Sequence, residues 1–351
     1  MGPAEPGRRA EREHRAEREH RAEREREPGN RAGPGHGPER SVLVRTPATS
    51  ANLGPGFDSL GLALSLYDDV EVALTGDGVS IEVDGEGAEV ADRGERHLIV
   101  KVLRRTFDVL DDLAAAGPGQ PAGQPKGIRL RCRNRIPHSR GLGSSSAAIV
   151  AGIVAARALH PHGDLMDDDA ALRLATDIEG HPDNVAPCLA GGLTIAWTTP
   201  DGARLVRLEP QVRQVVAFVP EQRLATERAR GLLPETVPHA DAAANAGRAA
   251  LLVAALRDGL GDTVLLDATE DRLHQNYRAP AMPESAELVE RLRSAGVPAV
   301  ISGAGPTVLA FTNASRVDSM AARVGNGWHE HPLDVATRGA CVVPGEPGRR
   351  S

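Results

Sequence analysis

The sequence predicts an α+β fold built in two halves, and three observations support that prediction. The chain has 351 residues, about twice the length of an ordinary domain. Short segments with strand-like alternation are interleaved with longer segments whose apolar residues recur at helical spacing. A turn rich in Pro, Asp and Gly at Thr199 to Gly202 separates the halves. We therefore expect one domain over 41–200 and a second over 201–345.

Each half contains both kinds of element. In the first half the predicted strands lie at 41–45, 69–74, 79–83, 127–136 and 191–198, and a further apolar segment lies at 60–67. Its predicted helices lie at 98–110, 144–159 and 167–178. In the second half the predicted strands lie at 214–219, 299–302 and 308–311. Its predicted helices lie at 240–258, 262–273 and 284–294.

Composition restricts the chemistry that the chain can perform. Only Lys101 and Lys126 are lysines, so nearly all of the 41 basic residues are arginine, and a catalytic lysine at any other position is excluded. The formal net charge is −7, and the chain has only two Trp, two Tyr and four Phe. Nucleic-acid binding needs a basic surface and often stacking side chains, so we expect no nucleic-acid partner.

The cysteines and the apolar segments indicate a cytoplasmic protein. Cys132, Cys188 and Cys341 lie far apart and have neither zinc-ligand nor CxxC spacing. The most apolar segment, 147–156, has about half of the ~20 residues that a membrane helix needs, so we expect no membrane partner. Residues 1–40 are rich in Arg and Glu and contain the repeat EHRAER, which predicts a solvated, disordered tail.

The segment between the strand at 127–136 and the helix at 144–159 is the strongest functional signal. Residues 137–147 read PHSRGLGSSSA. Two glycines let the backbone turn tightly, and three serines follow at a helix N-terminus, where free N–H groups favour a phosphate. The alternative is an ordinary serine-capped helix. The segment is not a Walker A loop, because no lysine follows the second glycine.

Four segments together resemble the GHMP kinases, and among them the homoserine kinases. Besides 137–147, residues 46–61 (TPATSANLGPGFDSLG) are similar to the N-terminal motif of that family. Residues 301–307 (ISGAGPT) resemble its C-terminal glycine motif, and residues 181–187 (HPDNVAP) match a further one. The resemblance covers about 41–345.

The resemblance implies both a fold and an activity. It implies an S5-like N-terminal domain and a ferredoxin-like α/β-sandwich C-terminal domain. The implied reaction is transfer of the γ-phosphoryl of MgATP to the side-chain hydroxyl of L-homoserine, in threonine biosynthesis, and a homodimer is compatible with it. The implied nucleotide-binding residues are Pro137, His138, Ser139, Arg140, Gly141, Leu142, Gly143, Ser144, Ser145, Ser146 and Ala147.

The resemblance also implies a substrate site. Asp58 suits the ammonium group of the substrate, and Asn52 and Asn184 match substrate-binding asparagines of the family. Arg230, in TERARGLLP, and Arg278, in NYR, match arginines that grip the carboxylate. Asn52 and Arg230 are the implied catalytic residues. Each residue also has an ordinary structural explanation, such as turn chemistry for Asn52 beside its glycines.

A magnesium site is implied at the helix that follows the glycine loop. Glu179 is the implied acidic ligand and Ser145 its partner, with Asp177 as the rival because the spacing is shorter here than in some relatives. One carboxylate suffices, since Mg²⁺ takes most of its ligands from the nucleotide and water.

Several positions depart from the family pattern. Arg140 replaces a small residue, and we expect its side chain to be exposed to solvent, with contact to a phosphate as the alternative. Ser146 replaces an alanine and Ala304 a serine. His97 stands where relatives often carry an asparagine near the nucleotide, and Gln275–Asn276 replaces Glu-Pro.

Three other functions stay open from the sequence. One is a different GHMP kinase that acts on an isoprenoid precursor, for which Asp58 would be an unfavourable neighbour of a substrate without an ammonium group. Another is an inactive relative that senses small molecules, although no loop or metal residue is obviously lost. The third, a nucleic-acid module on the S5-like fold, conflicts with the charge and the few aromatic residues.

Overall fold

Two β-sheets with helices packed against them form the framework of the structure, a computed structural model that describes residues 40–312, 316 and 324–344. The tail predicted for 1–40 therefore lies outside the described residues, apart from Arg40. The strands are β1 (Ser41–Ala51), β2 (Leu60–Thr75), β3 (Gly78–Gly85), β4 (Gly127–Asn134), β5 (Leu193–Thr199), β6 (Gly202–Leu208), β7 (Gln214–Pro220), β8 (Ala299–Ile301), β9 (Val308–Ala310), β10 (Trp328–Asp334) and β11 (Cys341–Val343).

The helices cover the chain between these strands. They are α1 (Leu98–Ala116), α2 (Ser144–Leu159), α3 (Asp168–Glu179), α4 (Pro182–Ala190), α5 (Thr226–Arg230), α6 (His239–Asp258), α7 (Asp262–Ala268), α8 (Gln275–Arg278) and α9 (Pro283–Ser294). No helix within the described residues combines the length and the apolarity needed to cross a lipid bilayer.

The first sheet has the order β11-β1-β2-β4-β3, and the β5–β6 hairpin joins it through β2. Only β3 and β4 pair in parallel. In β4 the apolar residues Ile128, Leu130 and Cys132 alternate with arginines, so one face of the strand is buried. That face packs against α1 and α2, through residues such as Leu103 and Ala151.

Helix α2 is apolar on nearly all sides because it lies in the interior. Its alanines let it approach β1 closely, while Ile149, Val150 and Ile153 fill the core between β1, α3 and α4. The helix begins at Ser144, directly after the glycine loop, so that its N-terminus points into the region where the two sheets meet.

The second sheet carries the C-terminal glycine motif. Its order is β10-β7-β9-β8, with antiparallel pairing throughout. Helix α9 covers it, and Leu288 and Leu292 pack with Phe218, Ile301 and Val308. The turn between β8 and β9 consists of residues 302–307, and the packing of α9 fixes the position of that turn.

The predicted boundary at 200/201 falls inside a hairpin. Thr199 pairs with Gly202 at the end of the β5–β6 ladder, so the first sheet continues to Leu208. The Pro, Asp and Gly residues that suggested a linker instead form a hairpin turn. Hairpin turns and linkers are rich in the same residue types. The division into two domains otherwise stays a prediction.

Several predicted elements differ in length from those observed. β1 continues beyond Pro47, because an irregularity between Pro47 and Ala48 lets the pairing with β2 resume. The two segments predicted at 60–67 and 69–74 form one strand, β2. The helix predicted at 262–273 ends at Ala268, since the Asp271 carboxylate accepts hydrogen bonds from the N–H groups of Leu273, His274 and Gln275. The strands β6, β10 and β11 and the helices α4, α5 and α8 were not predicted.

Asp68 holds the end of β4 beside β2. Its buried carboxylate accepts hydrogen bonds from the N–H groups of Arg135 (2.6 Å) and Ile136 (2.9 Å), immediately before the glycine loop. Burial raises the pKa of Asp68 to about 6, although the two N–H donors lower it. The folded protein therefore binds this proton more tightly than the unfolded chain, whose aspartates have a pKa near 3.9.

We predict that Asp68→Asn stabilises the protein in a pH-dependent manner. Above about pH 6 the wild type must keep a buried charge that the amide avoids, so the variant gains roughly 1–3 kcal/mol in free energy of unfolding. The gain disappears near pH 4, where Asp68 is protonated. Urea unfolding at pH values from about 4 to 8 measures it, with the exposed Glu82→Gln as the control for loss of one charge. A gain that does not depend on pH would contradict this account.

Candidate active site

A cavity of about 450 Å³ lies where the glycine loop, the start of α2, the segment 52–58 and the turn 302–307 meet. Its walls include every predicted substrate residue except Asp58, which borders it through an ion pair with Arg230. They also include the predicted nucleotide loop, with the exception of Ser146. The structure thus brings together in one cavity residues that are far apart in the sequence.

The glycine loop requires its two glycines. Gly141 and Gly143 have φ values of 78° and 72°, which side chains disfavour. A Cβ atom on Gly141 would also collide with the Ser302 carbonyl, and one on Gly143 with the Thr49 hydroxyl. The loop therefore needs glycine at both positions to pack closely against Ser302 and Thr49.

The N-terminus of α2 is open toward a ligand. Gly143 occupies the cap position and supplies no side-chain hydrogen bond to the first turn. The N–H groups of Ser144, Ser145 and Ser146 consequently have no partner within the helix, and the helix dipole adds partial positive charge at this end. Ser144 and Ser145 line the cavity, whereas Ser146 is buried behind them.

Glu179 lies against the first turn of α2, as the implied metal site requires. Its two carboxylate oxygens accept hydrogen bonds from the hydroxyls of Ser145 and Ser146, each at 2.9 Å. The rival, Asp177, is exposed and does not line the cavity.

The donors present fit magnesium. The Ser145 hydroxyl and the Glu179 carboxylate are hard oxygen ligands of the kind Mg²⁺ prefers. In the described part of the chain, no group of three or more His, Cys, Asp and Glu could hold a metal. An ion at Ser145 and Glu179 would therefore take its other ligands from phosphate oxygens and water.

Asp58 and Arg230 form a bidentate ion pair in this structure. The guanidinium of Arg230 donates to both carboxylate oxygens of Asp58, at 2.7 and 3.2 Å, from helix α5 to the first motif. Both side chains are about one third exposed, at 34% and 37%, so a ligand can reach them. Burial opposes the charge on Arg230, but the contact with Asp58 outweighs it and raises the pKa of Arg230.

Arg278 is the most buried charged residue of the site. It is 1% exposed, its Nε has no hydrogen-bond partner, and within the described residues no carboxylate lies in ion-pair distance of it. Its Nη1 donates to the Nδ1 of His274, at 3.2 Å. Burial lowers the pKa of His274, which keeps that ring neutral and able to accept. Phe57 lies against this guanidinium, 5.4 Å from the ring centroid.

The two predicted asparagines hold main-chain and side-chain groups in place. The amide of Asn52 donates to the Gly303 carbonyl at 2.9 Å, and its oxygen accepts from the N–H of Asp58. Asn52 therefore fixes the position of Asp58. The amide oxygen of Asn184 accepts from the Thr49 hydroxyl at 2.8 Å, so that its NH₂ group remains available to the cavity.

Sequence reasoning missed the pair formed by His181 and Asp183. Both line the cavity, and the His181 Nδ1 lies 2.6 Å from a carboxylate oxygen of Asp183, which is 2% exposed. Burial opposes the charged imidazolium, but the hydrogen bond to Asp183 outweighs it and raises the pKa of His181. The close spacing of His, Asp and Asn in the HPDN segment could have indicated this pair, because all three residues belong to one turn at the start of α4.

Two further buried polar atoms of residues that line the cavity have no hydrogen-bond partner among the described residues. These are the Thr46 hydroxyl and the Nδ1 of His97, and both residues line the cavity together with Asp68. Burial lowers the pKa of His97, and the nearby Arg93 and His138 act in the same direction, so the ring is neutral near pH 7.

The prediction that Arg140 is exposed is wrong. Only 15% of its side chain is accessible, because the guanidinium donates to the main-chain carbonyls of Pro220 and Glu221, both at 2.9 Å. Glu86 approaches it at 3.7 Å. These partners lie far away in the sequence, so no local pattern could have indicated them.

Comparison with known proteins agrees with this geometry. The family model of the GHMP kinases N terminal domain matches residues 97–192, and the model of the GHMP kinases C terminal domain matches residues 249–330. A homoserine kinase from Streptomyces avermitilis is 58% identical over 306 residues, which cover 87% of this chain and 96% of that protein. One from Clavibacter michiganensis subsp. michiganensis is 48% identical, over 86% and 94% of the two chains.

Solved structures share the fold. The crystal structure of homoserine kinase from Cytophaga hutchinsonii has a TM-score of 0.70 and 26% identity, and the match covers 89% of this chain and all of that one. A mevalonate kinase structure matches with a TM-score of 0.60 at 13% identity, over 85% and 100% of the two chains, which shows the fold alone. The chain belongs to the GHMP kinase family, and within it to the homoserine kinases.

Proposed function

We propose that the chain transfers the γ-phosphoryl group of MgATP to the side-chain hydroxyl of L-homoserine and so forms O-phospho-L-homoserine, a step of threonine biosynthesis in the cytoplasm. The observation that carries the proposal is the buried guanidinium of Arg278, which has no carboxylate partner among the described residues and lies in the same cavity as the glycine loop. A buried cation without a counter-ion is costly, so a ligand that brings a carboxylate is favoured there.

The substrate end of the cavity suits a zwitterion. Arg230 and Arg278 can pair with a carboxylate, and Phe57 lies against both guanidinium groups. Asp58 can accept from an ammonium group, and Asn52 holds Asp58 in position. A substrate with an ammonium group and a carboxylate can place the ammonium beside Asp58 and the carboxylate beside the arginines, so that each charge of the Asp58–Arg230 pair gains a second partner of opposite sign. A substrate with only a carboxylate would compete with Asp58 for Arg230 and brings no cation of its own to Asp58.

The nucleotide end suits the triphosphate. Backbone N–H groups of the glycine loop and of the first turn of α2 can donate to phosphate oxygens, with no lysine required. Ser145 and Glu179 would hold Mg²⁺, which when bound neutralises charge on the phosphates. The neutral ring of His97 can hydrogen-bond to the base.

In this mechanism the chain contributes positioning and electrostatics. The arginines and Asp58 would hold homoserine by its charged end, so that its hydroxyl points toward the glycine loop. The hydroxyl oxygen then bonds to the γ-phosphorus while the bond to the β,γ-bridging oxygen breaks, ADP leaves, and the hydroxyl proton passes to an oxygen of the transferred phosphoryl group. Phosphoryl transfer through a loose transition state needs little covalent help, which fits a cavity without a lysine–aspartate pair.

The experiment that tests the proposal compares ADP release with L-homoserine, L-threonine and mevalonate under the same conditions. We expect efficient turnover with homoserine only, and phosphorus NMR should identify the product as a phosphate monoester of homoserine. Equal or faster turnover with mevalonate would overturn the proposed substrate, and ATP hydrolysis without an acceptor would overturn the transfer.

We predict that Arg230→Ala raises the KM for homoserine on the order of 10- to 100-fold, with a smaller change in kcat. The expected magnitude follows from the loss of charge-assisted hydrogen bonds to the carboxylate. Arg228→Ala is the matched control, since Arg228 is exposed on the same short helix. Steady-state kinetics at saturating ATP measure both variants, and equal KM values for the two would remove Arg230 from the carboxylate site.

We predict that Ser145→Ala and Glu179→Gln lower kcat and raise the Mg²⁺ concentration needed for half-maximal activity. Glu179→Gln keeps the shape of the side chain but removes the charge that would face the ion. We expect a loss in kcat of about 100-fold or more for this variant, because little else would neutralise the developing charge. Asp177→Asn is the control on the same helix, and a larger effect there would reverse the assignment.

A further inference from the structure

Arg140 connects the glycine loop to the chain segment that carries Arg230. Its Nε donates to the Pro220 carbonyl and its Nη2 to the Glu221 carbonyl, each at 2.9 Å, and these acceptors stand at the end of β7. The third nitrogen, Nη1, lies 3.4 Å from the His138 carbonyl within the loop itself. Three of the five guanidinium N–H groups thus have main-chain acceptors in two different segments, which points to a positioning role.

A second contact fixes the same segment on the loop. The N–H of Leu224 donates to the Ser139 carbonyl at 3.0 Å, and the Leu224 side chain is buried beneath the second sheet. Helix α5 begins at Thr226, directly after this contact, and ends at Arg230. The segment 220–230 is therefore attached to the phosphate-binding loop at one end and to Asp58 at the other.

The Arg140 contacts are stiff enough to transmit a displacement. A guanidinium is planar and presents its donors at fixed angles, and its hydrogen bonds to carbonyls are charge-assisted. The side chain is mostly enclosed, with Glu86 at 3.7 Å as its nearest carboxylate. A change in the loop on binding phosphate would therefore move the carbonyls of Pro220 and Glu221 with it.

We propose that Arg140 is a positioning residue that couples the two substrates: a nucleotide that orders the glycine loop also holds α5 in place, so that Arg230 grips the homoserine carboxylate more tightly. The inference rests on the proposed function and adds to it a dependence of amino-acid affinity on the nucleotide. By reciprocity, homoserine raises the affinity for the nucleotide by the same factor.

The test measures the Kd of homoserine by calorimetry, with and without a saturating magnesium complex of β,γ-imido-ATP. For the wild type we expect homoserine to bind on the order of fivefold more tightly in the presence of the analogue. In Arg140→Gln we expect this ratio to fall to about one, while homoserine still binds the free protein.

The matched control is Arg207→Gln. Arg207 also donates to two main-chain carbonyls, those of Ala190 (3.0 Å) and Thr337 (2.6 Å), and contacts a glutamate, but it does not line the cavity. We expect this variant to keep the wild-type ratio. Arg140→Lys keeps the charge with fewer donors, so its ratio should be intermediate; it also serves as the test if Arg140→Gln does not fold.

The proposal is overturned if the wild-type ratio is one, or if the Arg140 variants keep the wild-type ratio. It is also overturned if they weaken nucleotide binding in the absence of homoserine while the ratio stays unchanged, since that result describes a purely local role in the loop. Failure of the proposed function is distinct: it appears as absent phosphorylation of homoserine by the wild type in the ADP-release assay.

Discussion

The close contact of three main-chain segments at Gly141 is the constraint on which the site depends. The Ser302 hydroxyl donates to the Gly141 carbonyl at 2.6 Å, and the N–H of Gly303 donates to the Ala51 carbonyl at 3.0 Å. The amide of Asn52 then binds Gly303 from the other side. This contact joins the glycine loop, the first motif and the turn of the second sheet. Any side chain at Gly141 would separate them and open the cavity.

The charges of the cavity follow from that junction. The start of α2 and the glycine loop supply partial positive charge at one end, and Arg278 supplies a buried full charge at the other. Between them, Asp58 and Arg230 neutralise each other. The free protein therefore has two places that attract anions and one self-neutralised pair, an arrangement suited to a triphosphate, a carboxylate and a single ammonium group.

Much of the fold and of the site could be predicted because the signals are local. The helix predicted at 144–159 has those bounds in the structure, since a glycine turn and serine start determine its beginning. What could not be predicted depends on distant contacts. Arg140 is enclosed by carbonyls from β7, and the predicted ammonium site, Asp58, is paired with the predicted carboxylate site, Arg230. The predicted boundary at 200/201 lies in the turn of the β5–β6 hairpin, because hairpin turns and linkers are rich in the same residues.

The pairing of Asp58 with Arg230, beside Arg278, which has no carboxylate partner among the described residues, most directly defines the ligand. The most direct test measures the binding of two homoserine analogues. The first, 4-hydroxybutyrate, lacks the ammonium group, and the second, 3-aminopropanol, lacks the carboxylate. Calorimetry with saturating nucleotide should show binding of homoserine and a loss of at least about tenfold in affinity for each analogue, because 4-hydroxybutyrate brings no cation for Asp58 and 3-aminopropanol brings no anion for Arg278. Binding of 4-hydroxybutyrate as tight as that of homoserine would contradict the account.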